Sequence, residues 1–141
     1  MHLNRWSKAV ALLCVTAFPC IAIADDLPAL QQGMWEFSRT VEDSKATSKP
    51  LKMTNKICTD PTSDMKKMNE ALTKQGCKFS PVVKTGNTYI FTSKCTIQGV
   101  PMKSRSVLSV ESNSAYKVNV TSTAGARSTK EVLVARRLGN C

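Results

Sequence analysis

The chain has 141 residues, with 20 Lys and Arg against 10 Asp and Glu, one His and six Cys. That length holds one domain, and the twofold excess of base excludes an acidic surface. An export signal over residues 1–24, argued next, would carry away His2. What remains could hold neither a Ser-His-Asp or Cys-His catalytic set nor a histidine-ligated metal.

Residues 1–8 carry Arg5 and Lys8 and no acid, and Ala9 to Ile23 is almost wholly apolar. Ala22-Ile23-Ala24 fits a small-x-small cleavage site, with Asp25-Asp26 directly after it. This is the three-part layout of a secretory signal. The apolar run is shorter than the roughly 20 residues that span a bilayer. An acylated Cys20 is the weaker alternative, because Pro19 stands where a lipobox needs a small residue. Cleavage would leave one domain over residues 25–141, a base excess of eight and a periplasmic or secreted protein with no transmembrane segment.

Residues 25–32 read as a leader with a helical turn around Leu30. From Met34 to Glu42 the sequence alternates: Trp35, Phe37 and Val41 one way, Glu36, Ser38 and Thr40 the other, which predicts a half-buried strand. Asp43 to Pro50 is a polar loop. Leu51 to Cys58 alternates again. Thr59-Asp60-Pro61 is a helix start, a capping side chain followed by Pro at the first turn, and Gly76 a stop. The helix near residues 61–75 presents Met65, Met68, Ala71 and Leu72 as its apolar stripe. Beyond it, residues 77–84 and 88–97 flank Gly86-Asn87, and Gly99-Val100-Pro101 makes the next turn. Residues 102–111, 115–122 and 127–138 follow, parted by turns at 112–114 and Ala124-Gly125. The fold class is mainly β (α+β). An antiparallel meander of about seven strands forms a curved, half-barrel-like sheet with the helix against one face or opening.

Cys58, Cys77, Cys95 and Cys141 form an even set in an exported chain, so two disulfides are expected. Their spacing is too wide for a zinc site. Three pairings exist. Cys58 and Cys77 flank a helix whose ends lie roughly 20 Å apart, whereas a bridge needs Cα atoms within about 7 Å. Cys77 and Cys95 flank the hairpin. A three-residue loop would set them directly opposite, and a two-residue Gly-Asn loop would leave them one position out and on opposite faces. The balance favours Cys77–Cys95 with Cys58–Cys141.

Gly33-Met34-Trp35-Glu36, Cys58 before an Asp-Pro helix start, Cys77 and Cys95 around a hairpin, and Arg136-Arg137-Leu138-Gly139-Asn140-Cys141 form a set. This set resembles a family of small exported proteins of Gram-negative bacteria, catalogued as domain of unknown function 3617. The resemblance spans nearly all of residues 25–141 and implies a periplasmic or secreted location. It implies no activity and transfers no functional residue.

The acids offer no catalytic pair. Glu36 and Glu42 share a strand parity but lie about 20 Å apart, too far for paired carboxylates. Asp60 and Asp64 are explained by capping and the helix dipole. Ser63 and Ser114 sit in Ser-x-x-Lys windows that a chain rich in both residues produces by chance. A non-catalytic role follows, with no cofactor and no metal. Met65 and Met68, which could suggest copper, are explained by helical spacing. The surplus is basic. Lys52 and Lys56 share a face, Lys103 and Arg105 share another, and Arg136 and Arg137 lie near the end. These six are the candidate anion-binding residues, weighed against solvated charges that only keep the protein soluble. Trp35, Phe37, Tyr89 and Phe91 would line an apolar pocket for an acyl chain, or else fill the core. Two aromatics on one face are too few for a nucleic-acid platform. The leading expectation is a monomer binding an anionic or amphipathic envelope molecule. The alternative is a structural factor docking an envelope protein through its sheet edge.

Overall fold

A computed structural model describes residues 27–141, so the expected export signal lies outside the described residues. The elements in chain order are β1 (Gly33–Asp43), β2 (Leu51–Thr59), α1 (Pro61–Lys74), β3 (Lys78–Phe79), β4 (Val83–Thr85), β5 (Thr88–Ile97), β6 (Val100–Ser112), β7 (Ala115–Ala124) and β8 (Arg127–Gly139). All pairings are antiparallel, and the order is β2-β1-β8-β7-β6-β5-β3, with β4 beside β3 on the same flank of β5. The expected meander is present as an open, curved sheet. β1 closes onto β8, and α1 links the edge strand β2 to the opposite edge at β3.

One face carries the core. Trp35 is 0% exposed and packs with Leu30, Tyr89, Leu108, Tyr116 and Ala135. Its indole stacks on Phe37 and tilts against Tyr116, and Nε1–H donates to the Gln31 carbonyl at 2.9 Å. A buried indole is thus filled on its apolar body and satisfied at its polar tip. Below it, Gly33 lets Arg137 pass. A Cβ there would sit 2.4 Å from both Arg137 Nε and the Gly139 carbonyl oxygen. Arg137 Nε donates to the Gln32 carbonyl at 2.8 Å, and its guanidinium also reaches Asn140. The Gly-x-Trp opening and the Arg-Arg-Leu-Gly-x-Cys ending are therefore two sides of one contact.

Four expectations are corrected. Residues 27–32 contain no helical turn: Leu27 is a bend and 28–32 form no regular element. Leu30 is buried, its N–H donates to Thr62 Oγ1, and Gln31 N–H donates to the Asn113 carbonyl, so the segment lies across the core end of the sheet. The helix starts where expected, with Asp60 accepting from Ser63 N–H at 3.1 Å, but its inward stripe is Pro61, Thr62, Met65, Asn69 and Leu72. Met68 is 60% exposed and Ala71 also faces out. The start of the helix is clamped: Thr62 Oγ1 also donates to the Pro28 carbonyl, and that grip sets which side turns inward. The turn between β5 and β6 is Gln98-Gly99, both at positive φ, which leaves Val100 and Pro101 in the strand. This is the two-residue hairpin geometry that matches strand twist.

Finally, residues 77–84 form two strands instead of one. The Gly86-Asn87 loop has two residues, since Thr85 pairs with Thr88, a geometry that would set Cys77 and Cys95 out of register. Ser80-Pro81-Val82 takes up one residue between β4 and β3, so Lys78 pairs with Lys94 and the cysteines meet. Ser80 holds this irregularity: its N–H donates to the Thr92 carbonyl, and its Oγ accepts from Thr92 N–H, both at 2.9 Å. Cys77–Cys95 and Cys58–Cys141 are the two disulfides, with Cα separations of 4.2 and 5.7 Å.

Candidate functional site

Strand pleating sends alternate side chains to opposite faces, and residues directly paired across a ladder share a face. The disulfide puts Cys77 and Cys95 on the core-bearing face, so their neighbours Lys78 and Lys94 point outward. Register then gives an outer row: Lys78 on β3 faces Lys94 on β5, which faces Lys103 on β6, which faces Thr123 on β7. Two residues along β6 on the same face is Arg105, flanked by Thr92 and Thr121. Lys130 lies one strand further, opposite Thr121 on one side and Glu42 on the other, where the row ends. Lys78, Lys94, Lys103 and Arg105 are all exposed. Neighbouring lysines in the row have Cβ atoms about 5 Å apart. β3, β5 and β7 contain no acid, and the single acid of β6, Glu111, is at its far end.

The ion pairs among the described residues all fall on the other side of the molecule, on β1. They are Arg39–Glu131, Lys56–Glu36, Arg136–Glu36 and Arg127–Asp43. Arg127, donating to Asp43, holds that carboxyl below its ordinary value, and the Lys45 backbone N–H adds to it. None of Lys78, Lys94, Lys103 or Arg105 meets a carboxylate among the described residues.

The six basic candidates therefore divide. Lys103 and Arg105 stand in the row. Lys56 and Arg136 both spend their charge on Glu36. Arg137 holds the Gln32 carbonyl beside Gly33. Lys52 is exposed on β2, at the opposite edge of the sheet. Sequence reasoning missed Lys78 and Lys94. The available signal was that each lies one residue inside a half-cystine, so bridging the cysteines also pairs the lysines.

The apolar candidates divide too. Trp35 and Phe37 belong to the packed core. Tyr89 and Phe91 line a cavity of about 150 Å³ together with Leu27, Phe79 and Leu108, with Asn69 and Ser80 as polar neighbours. That is benzene-sized and below the roughly 300 Å³ at which ligand pockets begin. Tyr116 lies across the core from it, and burial, helped by Asp64, pushes its phenol up to about 12. Asp60 and Asp64 act as helix-start groups: Asp60 caps Ser63, and Asp64 accepts from the Thr59 hydroxyl. Among the described residues no three His, Cys, Asp or Glu side chains gather as a metal site, and no helix is long and apolar enough to cross a membrane.

A family described as "Protein of unknown function (DUF3617)" matches residues 30–141. No curated protein and no solved structure matches the chain.

Proposed function

We propose that this chain, which belongs to the DUF3617 family, is an exported, non-catalytic module that binds an anionic component of the cell envelope on the outer face of its sheet. The observation that carries this reading is the row Lys78-Lys94-Lys103 with Arg105 beside it and no acid across the ladder. Like charges directly opposite destabilise a sheet. Cross-strand pairs are worth about 0.2–1 kcal/mol in either direction. A surface serving only solubility would intersperse both signs, as β1 and its neighbours do. Lysine ammoniums, an arginine fork and flanking threonine hydroxyls are donors suited to phosphate oxygens. The small cavity favours this anionic reading over an acyl-chain carrier.

The export half of the reading rests on the signal-like residues 1–24 and on the two disulfides, which persist in oxidising compartments. A second reading, docking of an envelope protein along the sheet edge, is favoured by β2. Every residue from Leu51 to Cys58 is exposed there, Leu51 by 58%. Unprotected edges of this kind pair readily with other chains.

Calorimetric titration with linear polyphosphate separates the two readings. Binding at about 50 mM salt should fall at least about tenfold near 0.5 M, where screening is complete within a few ångströms. Lys94→Glu with Lys103→Glu should abolish it, and Lys52→Glu with Lys67→Glu, an equal change of charge elsewhere, should not. Absence of binding at low salt, or equal loss in both double variants, refutes the proposal.

A further inference from the structure

We infer that the Cys77–Cys95 disulfide is part of the anion site, as the clamp that holds Lys78 in it, so that anion binding and the disulfide's redox state are linked. This inference rests on the anion-binding reading above. β3 has two residues, and its ladder with β5 consists of Lys78 opposite Lys94 and Phe79 opposite Ser93. Half of that ladder is a like-charge pair. Two residues of strand cannot hold themselves against solvent, and here one of the two pairings is repulsive. Each lysine is next in sequence to one of the bridged cysteines, so the covalent link sits directly behind the repelling pair. On the far side of Phe79, Ser80 is pinned to Thr92 and Phe79 tilts against Phe91. The Cys77 side has the disulfide, and beyond it the chain runs to α1 through the Cys77 N–H to Leu72 carbonyl bond. Cys77 is buried on the core-bearing face, while Lys78 is exposed on the other.

The consequence is an anion site assembled before its ligand arrives. The cost of crowding three ammoniums is met by a covalent bond during folding, and the ligand then relieves it, which is the condition for preorganised binding. A dithiol reductant would open the site. It supplies two electrons and two protons, the Sγ–Sγ bond breaks, Cys77 and Cys95 become thiols, and the reductant leaves as its own disulfide. Lys78 is then free to swing away from Lys94, and the row shortens to Lys94, Lys103 and Arg105. By linkage, an anion that binds the closed site better than the open one must protect the disulfide to the same extent.

Two measurements on the oxidised protein test this, with linear polyphosphate as probe. The first is the redox equilibrium of Cys77 and Cys95 with dithiothreitol, read by alkylation and mass mapping across a series of reduced-to-oxidised dithiothreitol ratios, with and without saturating polyphosphate. Polyphosphate should raise the ratio that half-reduces this pair about fivefold and leave the Cys58–Cys141 midpoint unchanged. The second is polyphosphate affinity in Lys78→Ala, in Cys77→Ser with Cys95→Ser, and in all three together. Each of the first two should lose about fivefold, the scale of one lysine at an anionic surface. The triple variant should lose no more than the disulfide variant, because Lys78 is already gone from the site. Wild-type affinity in the disulfide variant, or a reduction midpoint indifferent to polyphosphate, overturns the inference while the site itself stands. Failure of the unaltered protein to bind polyphosphate removes the site as well. If the serine variant does not fold, the reduction midpoint, which needs no variant, decides alone.

Discussion

The two flanks of the sheet use the same residue types to opposite ends. On β1, β2 and β8, Lys56 and Arg136 both face Glu36, and Lys130 faces Glu42. On β3, β5 and β6, Lys78, Lys94 and Lys103 face one another. Composition is blind to this difference, because a lysine at an outward strand position looks alike on either flank. What separates a spent charge from an available one is the residue opposite it, and that is a property of register. The core repeats the contrast. β1 and β8 bury Trp35 and Ala135 under the leader, whereas β3 and β4 are short, with every residue but Phe79 exposed, and depend on a disulfide and a serine for their place.

Breaking each flank's covalent staple should give the largest effects. Cys58–Cys141 closes a separation of 83 residues and Cys77–Cys95 one of 18. Loop-closure entropy then predicts losses of about 4.5 kcal/mol for Cys58→Ser with Cys141→Ser and about 3 kcal/mol for Cys77→Ser with Cys95→Ser. Urea unfolding of the two variants checks both the ordering and the gap. The next effect belongs to the core. The Tyr116 phenol is held protonated to about 12 in the folded state against an ordinary value of 10. Above pH 10 the unfolded chain gives up this proton first, so folding stability is intact below pH 10 and falls as pH rises towards 12. The loss at the top of that window is about 2 kcal/mol. Unfolding free energies between pH 9 and 12 should show the decline, and Tyr116→Phe should flatten it. The smallest effect sharpens the contrast of flanks directly, because its sign reverses. Lys94→Glu replaces two repulsive ladder pairs by attractive ones and should stabilise the fold by about 0.5–1 kcal/mol. Glu36→Gln releases two exposed cations and should destabilise by a similar amount at most. Equal signs in the two variants would show that register does not govern these charges.

Much of the fold was legible because it rests on local chemistry. Alternation fixed the strand at Trp35 and Phe37, and Thr59-Asp60-Pro61 fixed the helix start. The misses come from long-range contacts. Met68 and Ala71 fit an amphipathic stripe as well as Asn69 does, and only the anchoring of Thr62 to Pro28 and Leu30 shows which side turns inward. The helical turn expected around Leu30 is absent because the leader's partners, Thr62 and Asn113, are distant in sequence. The break at Ser80-Pro81-Val82 is written in its proline, but its effect, a one-residue shift that aligns the cysteines, appears only once β4 and β3 both pair with β5. The site followed the same rule. Lys103 and Arg105 were visible as a same-face pair within one strand, while Lys78 and Lys94 joined them only across strands.

The position of β1 has a kinetic consequence. It is the first strand in the chain, yet it sits between β2 and β8, and contacts such as Glu36 to Arg136 bridge 100 residues. A sheet closed by its earliest and latest strands cannot be completed by a partial chain, and non-local pairing of this kind slows folding to milliseconds or seconds. Until β8 arrives, Trp35 has no floor and β1 no second neighbour. The sheet therefore stays incomplete until the last strand of the chain is available to it.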